Sequence, residues 1–241
     1  MNTDKNKWFS ISNQTTIEQL FKNYNNPSIF QKDLINCIIQ YSKKYCMEDP
    51  NIIEVGSSFG ITTALLPCNF TKYLLDNNGQ ALRLSKIFFD SHKIKATFIE
   101  SDFFLYKDNN SFFDITFNAG VIEHFNFKQR IAFIENMVRI TKKGGLIIIG
   151  IPNHYSFPYR LGYLYKLVRK QWPYPKEYRI RDINSELSII NSSIELIDTI
   201  ILSKSLIYSN LPRPFKSIIM KLDNFFAYQG YLKVFILLKK Q

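Results

Sequence analysis

The sequence lacks an uninterrupted apolar run of about 18 residues, the length that a membrane-spanning helix requires. The residues from Met1 to Lys7 have no apolar stretch behind them, so a secretory signal peptide is not expected either. Cysteine is scarce, and the thiols of Cys37, Cys46 and Cys68 form no metal-type cluster and suit a reducing compartment. We therefore expect a cytoplasmic protein without a metal site.

Acidic residues are also few, because 20 aspartates and glutamates stand against 31 lysines and arginines, which gives a net charge of +11. A basic chain of this kind can meet nucleic acid, an anionic membrane surface or an anionic substrate. A coding bias toward Lys, Asn, Ile, Phe and Tyr explains the same composition without any partner. The total charge therefore leaves the class of partner open.

Apolar residues are plentiful, at 46% of the 241 residues, which is enough for the core of one large domain. Residues 1–14 are polar and are predicted to fray. The apolar spacing from Leu34 to Tyr45 predicts an amphipathic helix over residues 31–45. We expect an N-terminal helical extension over residues 1–48 and a main domain over residues 49–241.

Beyond residue 50, short apolar strands alternate with helices. Strands are predicted at 51–55, 72–76, 95–100, 112–118 and 146–151, with helices at 80–91 and 127–141. A lid-like insert at about 153–192 follows, and then a strand at 195–202, a helix at 215–226 and a last strand at 231–238. This alternation predicts an α/β fold in which helices cover a largely parallel sheet.

A glycine-bearing turn joins the first predicted strand to the segment after it. Gly56 permits a sharp turn at the end of the strand, and Gly60 permits close packing of a helix against the sheet. Such turns hold nucleotide-like ligands over backbone N–H groups at a helix start. Taken alone, the pattern equally fits an ordinary strand-to-helix connection.

Polar residues stand at the ends of several predicted strands. Asp76 ends the second strand, about twenty residues past the glycine turn, where a carboxylate commonly binds ribose hydroxyls. Asp102 follows the third strand, Asn118 ends the fourth, and the pair Glu123-His124 comes just after. The carboxyl ends of parallel strands share one edge of a sheet, so we expect these side chains to converge there. Each of them also has a structural explanation, as a helix cap or a solvated residue.

As a set, these segments resemble the class I S-adenosylmethionine-dependent methyltransferases, and within them the small-molecule enzymes that include the quinone-biosynthesis type. The resemblance runs from about Asn51 to Lys240 and rests on the turn 54–60, the segment 113–125 and Gly144-Gly145-Leu146. It implies a Rossmann-like, doubly wound, seven-stranded sheet in the order 3-2-1-4-5-7-6 with the last strand antiparallel. Ser58 departs from the family, which has glycine there, and its side chain narrows the space over the cofactor.

The resemblance implies S-adenosylmethionine as the cofactor. The residues that would bind it are Glu54, Gly56, Ser57, Ser58, Gly60, Asp76, Asn77, Asp102, Phe103 and Asn118. In this scheme Glu54 receives the amino group of the cofactor, Asp76 its ribose hydroxyls and Asp102 its adenine amino group. His124 and His154 are the candidate catalytic bases, with His124 preferred for its place after the fourth strand, and a structural role stays open for both.

The expected function is methyl transfer to a small-molecule acceptor, at oxygen. Nucleic acid is disfavoured, because Asn118-Ala119-Gly120-Val121 replaces the Asn/Asp-Pro-Pro-aromatic motif of amino-methylating nucleic-acid enzymes. Pro67-Cys68 follows the first helix, which is the wrong place for the nucleophile of cytosine C5 enzymes. An NAD(P)-dependent oxidoreductase and a non-catalytic methyltransferase-like binding protein are the alternatives, and the oligomeric state stays open.

The predicted insert is basic and aromatic between residues 157 and 181. Its basic residues are Arg160, Lys166, Arg169, Lys170, Lys176, Arg179 and Arg181, against the single acid Glu177. Helical spacing of Leu161, Leu164, Tyr165 and Val168 favours a lid helix that buries these residues and leaves its charges solvated. A pocket for an anionic acceptor and a peripheral membrane contact for a lipid-linked one are the other interpretations.

Overall fold

The structure is a computed structural model that describes residues 2–108, 110–190 and 193–240, with side chains from residue 7 onward. The helices are α1 (Asn2–Gln14), α2 (Ile17–Asn25), α3 (Ile29–Lys44), α4 (Ile61–Ala64), α5 (Gly79–Ser91), α6 (Phe127–Ile140), α7 (Phe157–Val168), α8 (Asn184–Ile189) and α9 (Arg213–Phe226). The strands are β1 (Asn51–Val55), β2 (Thr71–Asp76), β3 (Ala96–Glu100), β4 (Phe113–Ala119), β5 (Thr141–Pro152), β6 (Ile194–Leu202) and β7 (Leu232–Lys239). Short 3₁₀ turns occupy Ile122–His124 and Lys204–Tyr208.

The strands form one seven-stranded sheet in the order β3-β2-β1-β4-β5-β7-β6. Strands β1 to β5 pair in parallel, whereas β7 lies antiparallel between β5 and β6. The expected strand order and the antiparallel last strand are therefore confirmed. Because β1 has β2 on one side and β4 on the other, the chain reverses its winding direction at β1, where open α/β sheets bind their ligands.

Helices cover both faces of the sheet. On one face, Ile52 of β1 packs with Leu34 and Ile38 of α3. On the other face, Ile53 belongs to a cluster with Phe133 of α6 and residues of the α8 region. Successive strand residues point to opposite faces, so a strand that is apolar at consecutive positions is covered on both sides.

Local capping fixes the starts of the two longest sheet-covering helices. Ser28 and Gln31 form a reciprocal capping box at the start of α3, and Asn126 and Gln129 form another at the start of α6. Each box satisfies backbone N–H groups that have no partner within the helix. Within the described residues, no helix is long and apolar enough to cross a membrane.

The amino-terminal residues differ from expectation, because they form helix α1 instead of fraying. The side chain of Ser12 is buried and accepts a hydrogen bond from Nδ2 of Asn78 at 2.9 Å. Trp8, one helical turn earlier, lies edge-on to the ring of His124 with centroids 5.4 Å apart. These tertiary contacts stabilise a helix whose own sequence is too polar to predict it.

The segment after α6 also differs from expectation. The helix predicted over residues 127–141 and the strand predicted from residue 146 leave residues 142–145 between them, but α6 stops at Ile140 and β5 already begins at Thr141. The pairing of β4 with β5 is irregular there, and Gly144 adopts a φ of +76°. Gly144 therefore serves an irregular strand entry and not a helix C-cap.

Candidate cofactor and acceptor site

Two positions of the turn after β1 require glycine. Gly56 has a φ of +71°, and a Cβ atom there would lie 2.8 Å from Cγ2 of Val121. Gly60 has a φ of +64°, and its added Cβ would lie 1.9 Å from Cδ2 of Leu74. Both residues combine left-handed backbone with close packing, so any side chain would force the turn to move. The tight path brings the chain back over the end of β2.

Asp76, at the end of β2, lies directly against this turn. One carboxylate oxygen accepts the backbone N–H of Ser58 at 2.7 Å, and the other accepts that of Asn78 at 2.8 Å. Burial raises the pKa of Asp76 above its usual value, although the backbone hydrogen bonds act in the opposite direction. The expected convergence of the glycine turn and this carboxylate is thus present.

The backbone of the turn differs in one respect from the sequence prediction. We expected N–H groups from Ser58 to Gly60 to be available at a helix start. Instead, Ser58 donates to Asp76, Gly60 donates to the carbonyl of Ser57, and the following helix is a single turn. Internal hydrogen bonds therefore occupy these donors. The buried hydroxyl oxygen of Ser57 has no partner among the described residues.

Glu54 is a buried carboxyl group beside the turn. Thr63 Oγ1 donates a hydrogen bond to its Oε2 at 2.5 Å. Burial, and to a smaller extent the negative charge of Asp76, raise the pKa of Glu54 to about 7, while the Thr63 hydrogen bonds oppose this. A cation placed beside this group would favour its ionised form.

Asp102 lies on the same edge of the sheet as Asp76. The backbone N–H of Ser101 donates to the carbonyl of Asp76 at 3.0 Å, which ties the two strand ends together. The Asp102 carboxylate accepts the backbone N–H of Phe104 at 3.0 Å and is partly exposed. Asn77 is exposed next to Asp76. The rim thus carries acidic groups at the ends of both strands.

Two of the predicted cofactor residues have side chains that pack in the core and not at this rim. The ring of Phe103 is buried against Phe133, with centroids 4.8 Å apart. Asn118 is fully buried, and its Nδ2 donates to Sδ of Met137 at 3.4 Å. Cofactor binding by Phe103 and Asn118 stays a prediction, which the positions of their side chains do not support. The strand alternation places Asn118 on the face that α6 covers.

His124 lies at the end of the 3₁₀ turn that follows β4. Its Nδ1 is 3.1 Å from the carbonyl oxygen of Lys176. A carbonyl can only accept a hydrogen bond, so Nδ1 carries a proton in this contact. Nε2 lies 3.9 Å from Oε1 of Glu123.

His154, the second predicted base, has a structural environment. Its side chain is 1% exposed, and its Nε2 lies 2.8 Å from Oε2 of Glu177. Its Nδ1 lies 3.3 Å from a guanidinium nitrogen of Arg160, and the rings of Tyr159 and Tyr163 flank the imidazole. Both ring nitrogens have partners, so the prediction that His154 acts as a base stays untested and its surroundings favour a structural role. The sequence places it near the edge but cannot show this enclosure.

Sequence reasoning did not anticipate the pairing of Glu123 with Glu177. Glu123 is 2% exposed, and its Oε2 has no hydrogen-bond partner among the described residues. Burial raises the pKa of Glu123 well above its usual value, and the nearby Glu177 charge adds to the effect. Oxygen or nitrogen atoms of Glu123, His124 and Glu177 all lie within 4.8 Å of one another. A shared proton or a small cation would suit this spacing.

An aromatic layer covers His124. Trp8 of α1 contacts Tyr174, and Tyr174 contacts Trp172, with both ring-centroid distances 5.6 Å. Trp172 in turn packs edge-on against Tyr163 of α7, with centroids 4.9 Å apart. Glu177 is anchored beneath this layer by the hydroxyl of Tyr159 at 2.9 Å. The insert thus lies over His124, as a lid would, but Leu161, Leu164 and Val168, which were predicted to form its buried face, are exposed.

The comparisons with known proteins agree with this architecture. Residues 53–149 match the methyltransferase-domain family. The matched segment runs from β1 to β5, five of the seven strands, and the sheet as a whole has the fold of the solved methyltransferases described next. No curated protein matches the sequence. The match to a methyltransferase domain favours the expected methyl transfer over the NAD(P)-dependent alternative.

Several solved methyltransferases have a similar fold. The magnesium protoporphyrin IX methyltransferase of Synechocystis with bound S-adenosylhomocysteine aligns with a TM-score of 0.61 and 11% identity, over 99% of this chain and 95% of that one. A methyltransferase from Clostridium acetobutylicum gives a TM-score of 0.62 at 12% identity, over 90% and 94% of the two chains. A Galdieria sulphuraria protein described as a putative sarcosine dimethylglycine methyltransferase gives 0.59 at 9%, over 86% and 84%. At such identities the likeness concerns the fold alone.

Proposed function

We propose that this methyltransferase binds S-adenosylmethionine along the rim formed by the ends of β1, β2 and β3 and transfers its methyl group to an oxygen of a small-molecule acceptor. The observation that carries the proposal is the contact between the Ser58 N–H and the Asp76 carboxylate. That contact joins the glycine turn to the acid at the ligand-binding edge of the sheet. The methyltransferase fold and domain thus gain a proposed binding site for S-adenosylmethionine.

Each polar group of the rim has a proposed partner on the cofactor. Asp76 accepts the ribose hydroxyls, with Asn77 beside it, and Asp102 accepts the adenine amino group. Glu54 interacts with the amino group, which would draw the carboxyl into its ionised form. The Ser57 hydroxyl, which has no partner among the described residues, gains one from the cofactor carboxylate. Gly56 leaves the backbone open to close approach.

The transfer step is an in-line displacement. The acceptor oxygen forms a bond to the methyl carbon while the carbon–sulfur bond breaks, and its electron pair returns to the sulfur, which becomes neutral. The hydroxyl proton passes to the imidazole of His124, the candidate base that follows β4. The chain otherwise acts by positioning the two partners and by excluding water beneath the aromatic layer.

The residues around His124 favour a methyl acceptor whose reacting group is a neutral hydroxyl and not an anion. Two basic side chains of the insert are engaged within the protein: Arg160 contacts His154, and Arg179 lies over the ring of Tyr155. Carboxyl oxygens of Glu123 and Glu177 lie within 4.8 Å of a ring nitrogen of His124, and negative charge on this pair would repel an anionic acceptor. A neutral hydroxyl can approach without that repulsion.

Isothermal titration with S-adenosylhomocysteine and with NAD tests the cofactor assignment. We expect the protein to bind S-adenosylhomocysteine and not NAD, and Asp76→Asn to weaken binding at least about tenfold, because a charge-assisted hydrogen bond is lost. Asp90→Asn, at an exposed position on α5, is the matched control and should bind normally. Thermal melting confirms that each variant folds. Binding of NAD instead, or no binding of S-adenosylhomocysteine at millimolar concentration, would overturn the proposal.

A further inference from the structure

Helix α9 presents its apolar face outward. Its large apolar residues recur at Phe215, Ile218, Leu222, Phe225 and Phe226, which places them along one side of the helix. Phe225 is 83% exposed and Phe226 is 65% exposed. The buried residue of α9 is Ile219. An amphipathic helix on a globular protein normally turns such a face toward the core, so this orientation calls for an external apolar partner.

Stacked aromatic rings connect this face to helix α7. Phe226 stacks on Tyr228 with ring centroids 6.0 Å apart, and Tyr228 contacts Phe157 at 5.9 Å. From Phe157, the first residue of α7, exposed apolar residues continue at helical spacing through Leu161, Leu164 and Val168. The apolar face of α9 therefore continues along one side of α7.

Positive charge borders the apolar residues of both helices. Arg213, Lys216 and Lys221 are exposed on α9, and Arg169 and Lys170 are exposed at the end of α7. The sequence of α7 contains no acid, and that of α9 contains only Asp223. Asp223 is paired with Lys204 at 3.1 Å and accepts the backbone N–H of Tyr228 at 2.8 Å. The charge of the surface is therefore positive.

The apolar face and its basic border indicate which kind of partner could cover this surface. An apolar helix face with a basic border is the pattern of helices that lie in the headgroup region of a membrane, with aromatic residues at the acyl boundary. A second copy of the chain would bring like charges together, which opposes association. An anionic lipid surface would bury the exposed aromatic residues and attract the basic residues that border them.

We propose that α9, together with the outer side of α7, docks the protein on an anionic lipid surface. Phe215, Phe225 and Phe226 insert at the level of the headgroups, and Lys216 and Lys221 contact lipid phosphates. This docking does not depend on methyl transfer. It places α7 and the lid that follows it next to the membrane surface.

Vesicle co-sedimentation tests the docking. We expect the full chain to sediment with vesicles of phosphatidylcholine and phosphatidylglycerol, and to do so less at high salt and with phosphatidylcholine alone. The double variant Phe225→Ser, Phe226→Ser should bind at least about tenfold more weakly, because two aromatic side chains no longer leave water. The pair Lys216→Glu, Lys221→Glu should also lose binding.

Matched control variants lie on other exposed surfaces. Ile87→Ser on α5 and the pair Lys86→Glu, Lys95→Glu replace exposed residues of the same chemistry and should leave vesicle binding unchanged. Equal melting temperatures establish that the variants fold. Absence of vesicle binding, or equal loss in the control variants, would overturn the proposal. The proposal would also be overturned if light scattering showed that the native protein is a dimer, that the Phe225→Ser, Phe226→Ser variant is a monomer, and that neither binds lipid.

Discussion

At the scale of single residues, burial gives Glu54 an unusual proton affinity. Its pKa lies at about 7 in the folded protein, against an ordinary value of 4.5. Between these two values the folded state retains a proton that the unfolded chain has released. The stability contributed by this group is therefore present at low pH and falls as the pH rises toward 7.

We expect Glu54→Gln to remove this pH dependence, because an amide cannot ionise. Relative to the native protein, the variant should gain on the order of 2–3 kcal/mol of unfolding free energy when the pH is raised from 4.5 to 8. Urea unfolding of both proteins at several pH values measures the difference. Parallel stability curves for the two proteins would contradict the burial argument, and Glu135→Gln serves as a control outside this site.

We propose a catalytic role for His124 and a structural role for His154, which the sequence alone could not distinguish. We expect His124→Gln to lower turnover about a hundredfold, the usual contribution of a general base, with unchanged affinity for S-adenosylhomocysteine. Release of S-adenosylhomocysteine with a panel of hydroxylated acceptors gives the rate. His154→Gln should instead lower the melting temperature, because His154 holds Glu177 and Arg160 inside the lid. Unchanged turnover in His124→Gln would remove its catalytic role.

At the scale of secondary structure, α1 is the element that connects the two halves of the site. Its Ser12 accepts a hydrogen bond from Asn78, next to the proposed ribose-binding carboxylate. Its Trp8 covers His124 and touches Tyr174 of the lid. A helix in this position lies beside both the proposed cofactor side and the proposed acceptor side. Ligand binding on either side should therefore change the environment of the Trp8 ring.

We expect the fluorescence of Trp8 to change when S-adenosylhomocysteine binds. The variant Trp172→Phe leaves Trp8 as the sole tryptophan, so its emission can be followed without interference. Trp8→Phe, which retains only Trp172, is the matched control and should respond less. A titration in which Trp8 emission stays constant while calorimetry shows binding would mean that α1 does not adjust to the cofactor.

Across elements, the predictions from sequence succeeded where the signal is local. The alternation of apolar strands and helices and the turn from Gly56 to Gly60 depend on neighbouring residues, and the structure contains them as predicted. Helix α1 was missed because its stability comes from contacts with Asn78 and His124, which lie far away in the chain. Residues 191–192, at the end of the insert predicted over about 153–192, lie outside the described residues.

At the scale of the whole molecule, part of the positive charge is structural. Buried lysines donate to backbone carbonyls: Lys72 to Leu66 at 2.7 Å, and Lys233 to Arg181 at 2.8 Å. Burial lowers the pKa of both lysines. Such charges are unavailable to nucleic acid, so the total of +11 overstates the basic surface. The basic residues that border α7 and α9 are exposed, so they can contact an anionic partner.

The sequence by itself determined the order of the elements, the glycine turn and the place of Asp76, because these follow from periodicity and from backbone conformations that few residues tolerate. Only the tertiary structure decided that Glu177 meets Glu123, that the side chains of Phe103 and Asn118 turn into the core, and that α9 faces outward. The physical reason is that these outcomes depend on which surfaces remain after the sheet and its helices have packed. No stretch of neighbouring residues carries that information.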